Sequence, residues 1–546
     1  MVVGSIGRSF FASCVSGMEP VLAAELRSAR VGGVDVEEGR LGVAFVGPPA
    51  VGTRAVLWSR TALRVMELLN IGEGVTSPEA LYDFARAAAP WRDLLADRRH
   101  TISVQSVLSA GRALESGRAR PGDWHCGACG SLVFASRDAC FKCGAPRPVE
   151  PSSLTHTHFS SLTVKNAVCD SLREAVGWRP SVDTEGADLP LLLHVHRGRA
   201  SLYRLLSGAS SMHKRGYRAG GPVHVAALRE TLAAGALLKA GYEPEEDVLC
   251  DPMAGSGTIA IEAALLATNT APGLLRSAPP LVHWPDWPME AWTEAVEEAH
   301  ALDQRGGGGG APRPILANDW HGGALDLARR AARAAGVEEC ITFSEVAAAS
   351  YQPEPPPSLV LTNPPWGERL DEGAEEAWHE LRTFLKGRCA GSRAWVFSGN
   401  RELTRHLRMR AAQKLHIESS GSSLALIAYD VLGKRKGKRG EGEGGDAQSK
   451  QAQPAAEVTA EAAADEGSAE EELSDLSGLT VTKLKDLLRA RGLPVSGKKA
   501  ALIERLESGG GHGGGHGDGI TVAGSASGIS SGDDLEDLFK GLYSSS

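Results

Sequence analysis

Two apolar runs in this chain each end in a loop of unusual stiffness or unusual freedom. Together they limit the fold to a sheet that carries chemistry at its strand ends. The first run, 247–250, leads into Asp251-Pro252-Met253-Ala254-Gly255-Ser256-Gly257-Thr258. The second, Ser358-Leu359-Val360-Leu361-Thr362, leads into Asn363-Pro364-Pro365-Trp366. Short apolar runs bounded by such loops read as buried strands. Open α/β sheets place their ligands at the carboxyl ends of strands. The two loops are therefore expected to form a cofactor site and a catalytic site on one α/β sheet.

The chemistry of the second loop follows from its residues. Pro364 and Pro365 lack a backbone N–H and have fixed φ, so the loop is stiff and offers carbonyl acceptors. The Asn363 side-chain oxygen and the Pro364 carbonyl can together accept two hydrogens from one exocyclic amine, turning its lone pair toward an electrophile. Trp366 offers a flat face for a base, worth about 1–3 kcal/mol. For a neutral nucleobase amine, positioning counts for more than a strong base. Taken alone, Asn-Pro-Pro-Trp reads equally well as a Pro-rich surface turn; the first loop tips the balance. There, Gly255 and Gly257 permit positive φ and close approach of a ligand. The helix expected over 258–266 begins with free N–H groups. Neither a phosphate-loop Gly-Lys-Ser/Thr nor the dinucleotide Gly-x-Gly-x-x-Gly spacing is present in this loop. A third candidate is Pro314-Ile315-Leu316-Ala317-Asn318-Asp319, a strand ending in an acid, followed by an Ala/Arg-rich helix to Gly336. A carboxylate there can accept both hydroxyls of a ribose. Asp319 alone would read as a helix N-cap.

Together these sites resemble class I S-adenosylmethionine-dependent methyltransferases. Further segments narrow the resemblance: Phe10-Phe11-Ala12-Ser13, Gly17-Met18-Glu19 through Glu25-Leu26, Leu57-Trp58-Ser59-Arg60, His213-Lys214-Arg215-Gly216-Tyr217-Arg218, and Leu228-Arg229-Glu230-Thr231-Leu232-Ala233-Ala234. In order, over residues 9–432, these are similar to the RlmL type, large-subunit ribosomal RNA guanine-N2 methyltransferases with an N-terminal THUMP domain. The resemblance implies that Asp251, Gly255 and Gly257 line the methionine end of S-adenosylmethionine and that Asp319 holds its ribose. Glu230 and Thr231 would pack beside the cofactor. Asn363, Pro364, Pro365 and Trp366 would form the catalytic loop that holds the guanine. The chain departs from the family pattern at Ala254, where Cys is usual, at Ala331, where Asn is usual, and at Ala347, where an acid usually meets the adenine amine. Ser344 or Glu345 is placed to substitute for that acid; without one, the loss is about one hydrogen bond, 0.5–1.5 kcal/mol. Bacterial members carry a second methyltransferase half that is not found in this sequence, so the resemblance implies guanine-N2 activity alone.

The length of 546 residues leaves room for about three or four domains, and a 42% hydrophobic content suits a globular enzyme. A net charge of −9 looks wrong for an RNA binder, but the acid is segregated at 441–475, whereas 197–218 and 434–439 are basic. Local charge decides contact with nucleic acid. Nine cysteines, four clustered and five scattered, suit a reducing compartment: cytoplasm or nucleus, or an organelle such as the chloroplast if a presequence is missing. No apolar run is long enough to span a membrane. Residues 17–27 form an amphipathic helix, with Val21, Leu22 and Leu26 on one side and Glu19 and Glu25 on the other. The expected organisation is a THUMP-containing α+β region at 9–220 with an insertion at 119–150, and a class I (Rossmann-like) methyltransferase domain at 221–432. A disordered linker at 433–473, a small helical module at 474–508 and a disordered tail at 509–546 follow. Residues 306–310 form a glycine run inside the methyltransferase region.

The insertion carries Cys126-x2-Cys129 and Cys140-x2-Cys143. Two such knuckles give four thiolates for one tetrahedral ion and leave no open position, so the zinc is structural. With Gly122-Asp123-Trp124, Phe134 and Arg137, the insertion resembles a Ran-binding-protein type zinc finger, some of which stack an aromatic on single-stranded RNA. Leu479 through Leu506 resembles a SAP domain. Leu484, Leu487, Leu488, Leu502, Ile503 and Leu506 would form its core, and Lys483, Lys498 and Lys499 would face phosphates. SAP modules usually contact DNA. The leading expectation is methyl transfer to a guanine N2 amine in large-subunit rRNA. Transfer RNA is the alternative substrate, and a nucleic-acid-binding scaffold with a decayed methyltransferase domain is the alternative class.

Overall fold

The computed structural model describes residues 7–109, 154–218, 227–305, 311–366, 373–419 and 422–432, with most of 124–145. The linker, the SAP-like module, the tail, the glycine run 306–310 and residues 367–372 lie outside the described residues. Among the described residues, no helix is long and apolar enough to cross a membrane.

The N-terminal sheet has eight strands, in the order Val34–Gly39, Gly42–Gly47, Arg8–Ser13, Arg64–Gly72, Arg199–Leu205, Leu189–His196, Thr101–Ser109 and Ser181–Val182. Segments on both sides of the cysteine insertion therefore build one sheet. Thr101–Ser109 runs parallel to Leu189–His196, and parallel neighbours need a long crossover. The chain provides one through the finger and the helix Thr157–Val176. The helix Glu19–Arg27 buries Leu22, Ala23 and Leu26 as its spacing predicts. Its acids do not face water as expected. Glu25 turns inward and accepts hydrogen bonds from the Arg60 N–H at 2.8 Å, the Thr61 N–H at 3.1 Å and the Ser59 hydroxyl at 3.1 Å. Glu19 accepts from the N–H groups of Gly17 and Leu41. Both carboxylates close loops that would otherwise leave backbone donors unpaired.

The second sheet has seven strands, in the order Ile341–Glu345, Ile315–Asp319, Leu249–Asp251, Leu359–Thr362, Arg393–Ser398, Ser422–Asp430 and Gln413–Ser419. The first five run parallel and the last two antiparallel. From Leu249–Asp251 the chain builds outward on one side, then returns to add Leu359–Thr362 on the other. That reversal is the switch point where such sheets open a crevice. It lies between the two strands whose loops stand out in the sequence. The first strand begins two residues later than the 247–250 run predicts and includes Asp251 itself.

The basic stretch 197–218 is only partly a free surface: Arg197 and Lys214 are exposed, whereas Arg204 and Arg215 are turned inward. Arg204 is buried, with its guanidinium 2.7 Å from Glu67 and 2.7 and 2.8 Å from Asp286. It also lies over the Trp284 ring at 4.2 Å. Arg215 and Glu262 form a fully buried ion pair at 3.5 Å. Arg215 also donates to the Met212 and Arg60 carbonyls. Arg60 in turn donates to the carbonyls of Leu265 and Thr270. These arginines join the N-terminal sheet to the methyltransferase-like region, because each has partners on both.

Truncating a buried charge leaves its partner without compensation, at a cost of about 3–5 kcal/mol. Arg204→Met is expected at the low end, about 3 kcal/mol, because the Asp286 side chain keeps some contact with water. Urea unfolding of the full chain measures it. A loss under about 0.5 kcal/mol, the scale of surface changes, would contradict the clamp.

Candidate active site and zinc centre

The two strand ends at the switch point are tied together by side chains. Asp251 closes its strand as a buried residue. The Thr362 hydroxyl, on the neighbouring strand, donates to Asp251 Oδ1 at 2.7 Å, and the Met253 N–H donates to the same oxygen at 3.2 Å. Burial pushes the Asp251 carboxyl up to about 7, and the Asp319 charge adds to the rise.

The glycine loop continues to the next strand end. Gly255 has φ +53, and a Cβ there would meet nothing within 4 Å, so the loop borders open space. Its N–H donates to Asp319 Oδ2 at 2.8 Å, while Asp319 Oδ1 accepts the His321 N–H at 2.9 Å. Asp319 thus braces two loops. It is not the N-cap of the following helix; His321 is, accepting from the Ala324 N–H at 3.1 Å. Gly257 has φ +73, and a Cβ there would fall 2.8 Å from the Ala328 Cβ. The helix Gly322–Ala335 therefore packs directly on the loop. Asn318 completes the brace by donating to the Pro252 and Val346 carbonyls.

Glu230 and Thr231 begin the helix Glu230–Ala240 and are buried. Burial raises the Glu230 carboxyl above the ordinary carboxylate range. Arg218 links this helix to the glycine loop. It pairs with Glu230 at 3.2 Å and donates to the Ser256 and Thr258 hydroxyls. Glu230 thus reaches the loop through Arg218. Thr231 Oγ1 has no hydrogen-bond partner among the described residues.

In the acceptor loop, the Trp366 Nε1–H donates to Asn363 Oδ1 at 2.8 Å. Sequence reasoning had left that oxygen unengaged; one of its two lone pairs is in fact taken. The Trp378 indole donates to the Pro365 carbonyl at 2.8 Å. Among the described residues nothing donates to the Pro364 carbonyl, the acceptor that the sequence singled out. Gly399 lies beneath Trp366: a Cβ at Gly399 would fall 2.2 Å from Trp366 Cε3. One face of the indole is therefore covered by backbone.

Sequence reasoning missed several neighbours. Trp320, directly after Asp319, is 72% exposed beside the His321 ring. An aromatic following a strand-end acid was the available signal. Glu345 Oε1 would lie 2.7 Å from a Cβ at Gly322, so its carboxylate sits over the start of the Gly322–Ala335 helix. Glu345 stands two residues before Ala347 in the chain.

The four finger cysteines converge. Their Sγ atoms all lie within 4.8 Å of one another, with Cys126–Cys143 at 3.3 Å and Cys129–Cys140 at 3.5 Å. Tetrahedral zinc with bonds of about 2.3 Å separates its sulfurs by about 3.8 Å, so the cage fits the ion. The crowded sulfurs share their protons unevenly: the Ser131 hydroxyl draws the Cys129 thiol down, whereas hydrogen bonds with Cys126 and Cys129 push the Cys143 thiol up. Phe134, Arg137 and Phe141 are exposed around it, with Arg137 6.0 Å from the Phe141 ring.

Two measurements test these centres. An unfolded aspartate titrates near about 3.9, so between that pH and about 7 the folded chain holds the extra proton at Asp251. The stability contributed below the lower value is lost as pH rises through the upper one. Asp251→Asn is therefore expected to gain in denaturant midpoint over the wild type between pH 5 and pH 8; a gap independent of pH would contradict the assignment. Full-length protein is expected to bind one zinc, measured by metal analysis. Cys140→Ser should lose it, whereas undiminished zinc in that variant would rule out the cage.

Comparison with known proteins places this geometry. Residues 215–427 match the RMKL-like methyltransferase domain, 9–66 the RlmL ferredoxin-like domain, 143–204 the THUMP domain and 475–508 the SAP domain. Ribosomal RNA large subunit methyltransferase K/L of Syntrophotalea carbinolica is 34% identical over 437 residues, covering 78% of this chain and 54% of that protein. The slr0064 protein of Synechocystis sp. is 29% identical over 428 residues, covering 78% of this chain and 97% of that one. The chain spans about half the length of the K/L relatives it matches. The SMU.472 protein, solved complexed with SAH, shares the fold at TM-score 0.62 and 20% identity, over 79% of this chain and 99% of its own. In this order along the chain stand matches to the RlmL ferredoxin-like, THUMP and RMKL-like methyltransferase domains, so the chain is similar to the RlmL-type THUMP-domain methyltransferases.

Proposed function

We propose that this protein transfers a methyl group from S-adenosylmethionine to the N2 amine of a guanine in RNA, with large-subunit rRNA as the substrate. The observation that carries the reading is the buried Thr362–Asp251 hydrogen bond. It sets the glycine loop and the Asn-Pro-Pro-Trp loop side by side at the switch point of the sheet. The K/L relatives support the ribosomal substrate by their names.

The site residues fit the cofactor. The open space at Gly255 leaves room for the methionine end, and the raised Asp251 carboxyl would gain a countercharge from an ammonium. Asp319 would take ribose hydroxyls, and the exposed Trp320 offers a face for the adenine. Glu345 would stand in for the missing acid at Ala347. When bound there, S-adenosylmethionine supplies an electrophilic methyl carbon.

The acceptor loop then has the task of positioning an amine. The Trp366 N–H holds the Asn363 carboxamide in one orientation. Its remaining lone pair and the Pro364 carbonyl can accept the two amine hydrogens, which aims the nitrogen lone pair. The Trp366 face turned away from Gly399 would take the base, which must leave its stack to arrive there. Phe134, Arg137 and Phe141 on the finger support single-stranded RNA as a further contact. The absence of disulfides among the described cysteines fits a reducing compartment.

Mass spectrometry of rRNA and tRNA nucleosides from cells lacking the protein tests the activity. Loss of N2-methylguanosine from large-subunit rRNA is expected; loss from tRNA alone would move the substrate, and loss from neither would reject the reading. Asn363→Ala is expected to reduce methyl transfer by at least about a hundredfold, on the scale of one transition-state hydrogen-bond acceptor. S-adenosylhomocysteine affinity should stay within about threefold, under 1 kcal/mol. Parallel loss of both would show that Asn363 serves the cofactor.

A further inference from the structure

On the far side of the acceptor loop from the cofactor loops lies a cleft of about 500 Å³. Its place follows from the strand order. Asp319, Asp251, Thr362 and Ser398 end four successive parallel strands. The glycine loop and Asp319 occupy one side of the acceptor loop. The cleft opens at Ser398-Gly399-Asn400, on the other. It is therefore a space separate from the cofactor site, and it begins at the glycine on which the Trp366 indole rests.

The cleft is basic. One wall is the short helix Arg401–Arg405, bringing Arg401 and Arg405; the other is the edge strand Gln413–Ser419, bringing Lys414 and His416. Lys414 stands opposite Ile427 and His416 opposite Ala425. Directly opposed residues share a face of the sheet, so both point into the cleft over the strand Ser422–Asp430. Among the described residues no aspartate or glutamate lines it. Arg405 is offset by Glu402 at 2.5 Å. Arg401 and Lys414 are exposed and form no ion pair among the described residues. Like charges left facing one another across an open cleft favour an anion between them.

We propose that this cleft binds the sugar–phosphate backbone of the RNA strand next to the target guanine, with Arg401 and Lys414 as its phosphate contacts. The proposal rests on the reading that Asn363 and Trp366 hold that base. Phosphate contacts fix the register of a nucleic acid, whereas base contacts select within it. A base delivered to Trp366 brings its flanking phosphates with it, and the neighbouring opening is lined by paired cationic walls. A single-stranded segment gives up its stacked base at the least cost, so the contact is read on single-stranded RNA.

The test uses the full chain, a guanine-containing single-stranded RNA oligonucleotide and the Arg401→Ala/Lys414→Ala double variant. Affinity is measured across a series of salt concentrations. Each single-strand phosphate contact contributes about 0.7 to the slope of log K against log salt, so removing two should lower the slope by about 1.4. Affinity at low salt should fall by at least about tenfold, and the KM for an rRNA transcript should rise with it, while S-adenosylhomocysteine affinity and melting temperature stay at wild-type values. The Arg401→Lys/Lys414→Arg variant should restore the slope. An unchanged slope in a folded double variant would overturn the proposal, as would failure of the charge-preserving variant to restore it. The slope is read without catalysis. A wild type that methylates no RNA yet loses slope on substitution would therefore reject the proposed activity while supporting the cleft.

Discussion

The hydroxyl of Thr362 donates to the carboxylate of Asp251 across two parallel strands, inside a region that water does not reach. On this bond depends the relation between two loops far apart in the chain. One loop is defined by glycines that leave space, the other by prolines that remove freedom. Neither is unusual alone. Joined at the point where the sheet reverses its order, they face one crevice. Hydrogen bonds to charged groups contribute about 1.5–3 kcal/mol, enough to hold two short loops in register. Asp319 extends the same device by bracing Gly255 and His321. The crevice is thus framed by side chains from three successive strand ends.

A raised carboxyl at such a place has a function beyond bracing. Burial pushes the Asp251 carboxyl up to about 7, and the Asp319 charge adds to the rise. The fold loses stability by keeping it ionised, and a bound cationic group would recover it. Binding of a cationic group there would be coupled to folding through one side chain. The arginine clamp shows the opposite solution: Arg204 and Arg215 are buried together with acids that neutralise them. In that way buried ion pairs join the N-terminal sheet to the second one, beside an apolar cluster that continues across both.

The strand ends were legible because apolar runs and loop residues alternate sharply there. Asn363, Asp251 and Asp319 fall where the sequence placed them, at the ends of Leu359–Thr362, Leu249–Asp251 and Ile315–Asp319. The cysteine cage was legible from spacing alone, since paired knuckles admit few other arrangements. Tertiary partners were not legible. Glu25 reads as a solvent-facing acid in its helix but caps a loop more than thirty residues later in the chain. The 197–218 arginines read as a surface for nucleic acid because charge says nothing of burial. The Trp366–Asn363 bond and the Gly399 platform depend on side-chain direction and on a neighbouring strand, and no local pattern encodes either. Nor does hydropathy distinguish the antiparallel pair Gln413–Ser419 and Ser422–Asp430, which builds the basic cleft, from the parallel strands before it.

The coupling of the two loops is tested most directly by Thr362→Val, which removes the hydroxyl and keeps the shape. S-adenosylhomocysteine affinity, measured by calorimetry on the full chain, is the readout. Loss of a hydrogen bond to the Asp251 carboxylate should weaken binding by about tenfold or more, although Thr362 lies on the acceptor-loop strand. Wild-type affinity in a folded Thr362→Val protein would show that the two loops stand independently, and the account built on their connection would fail.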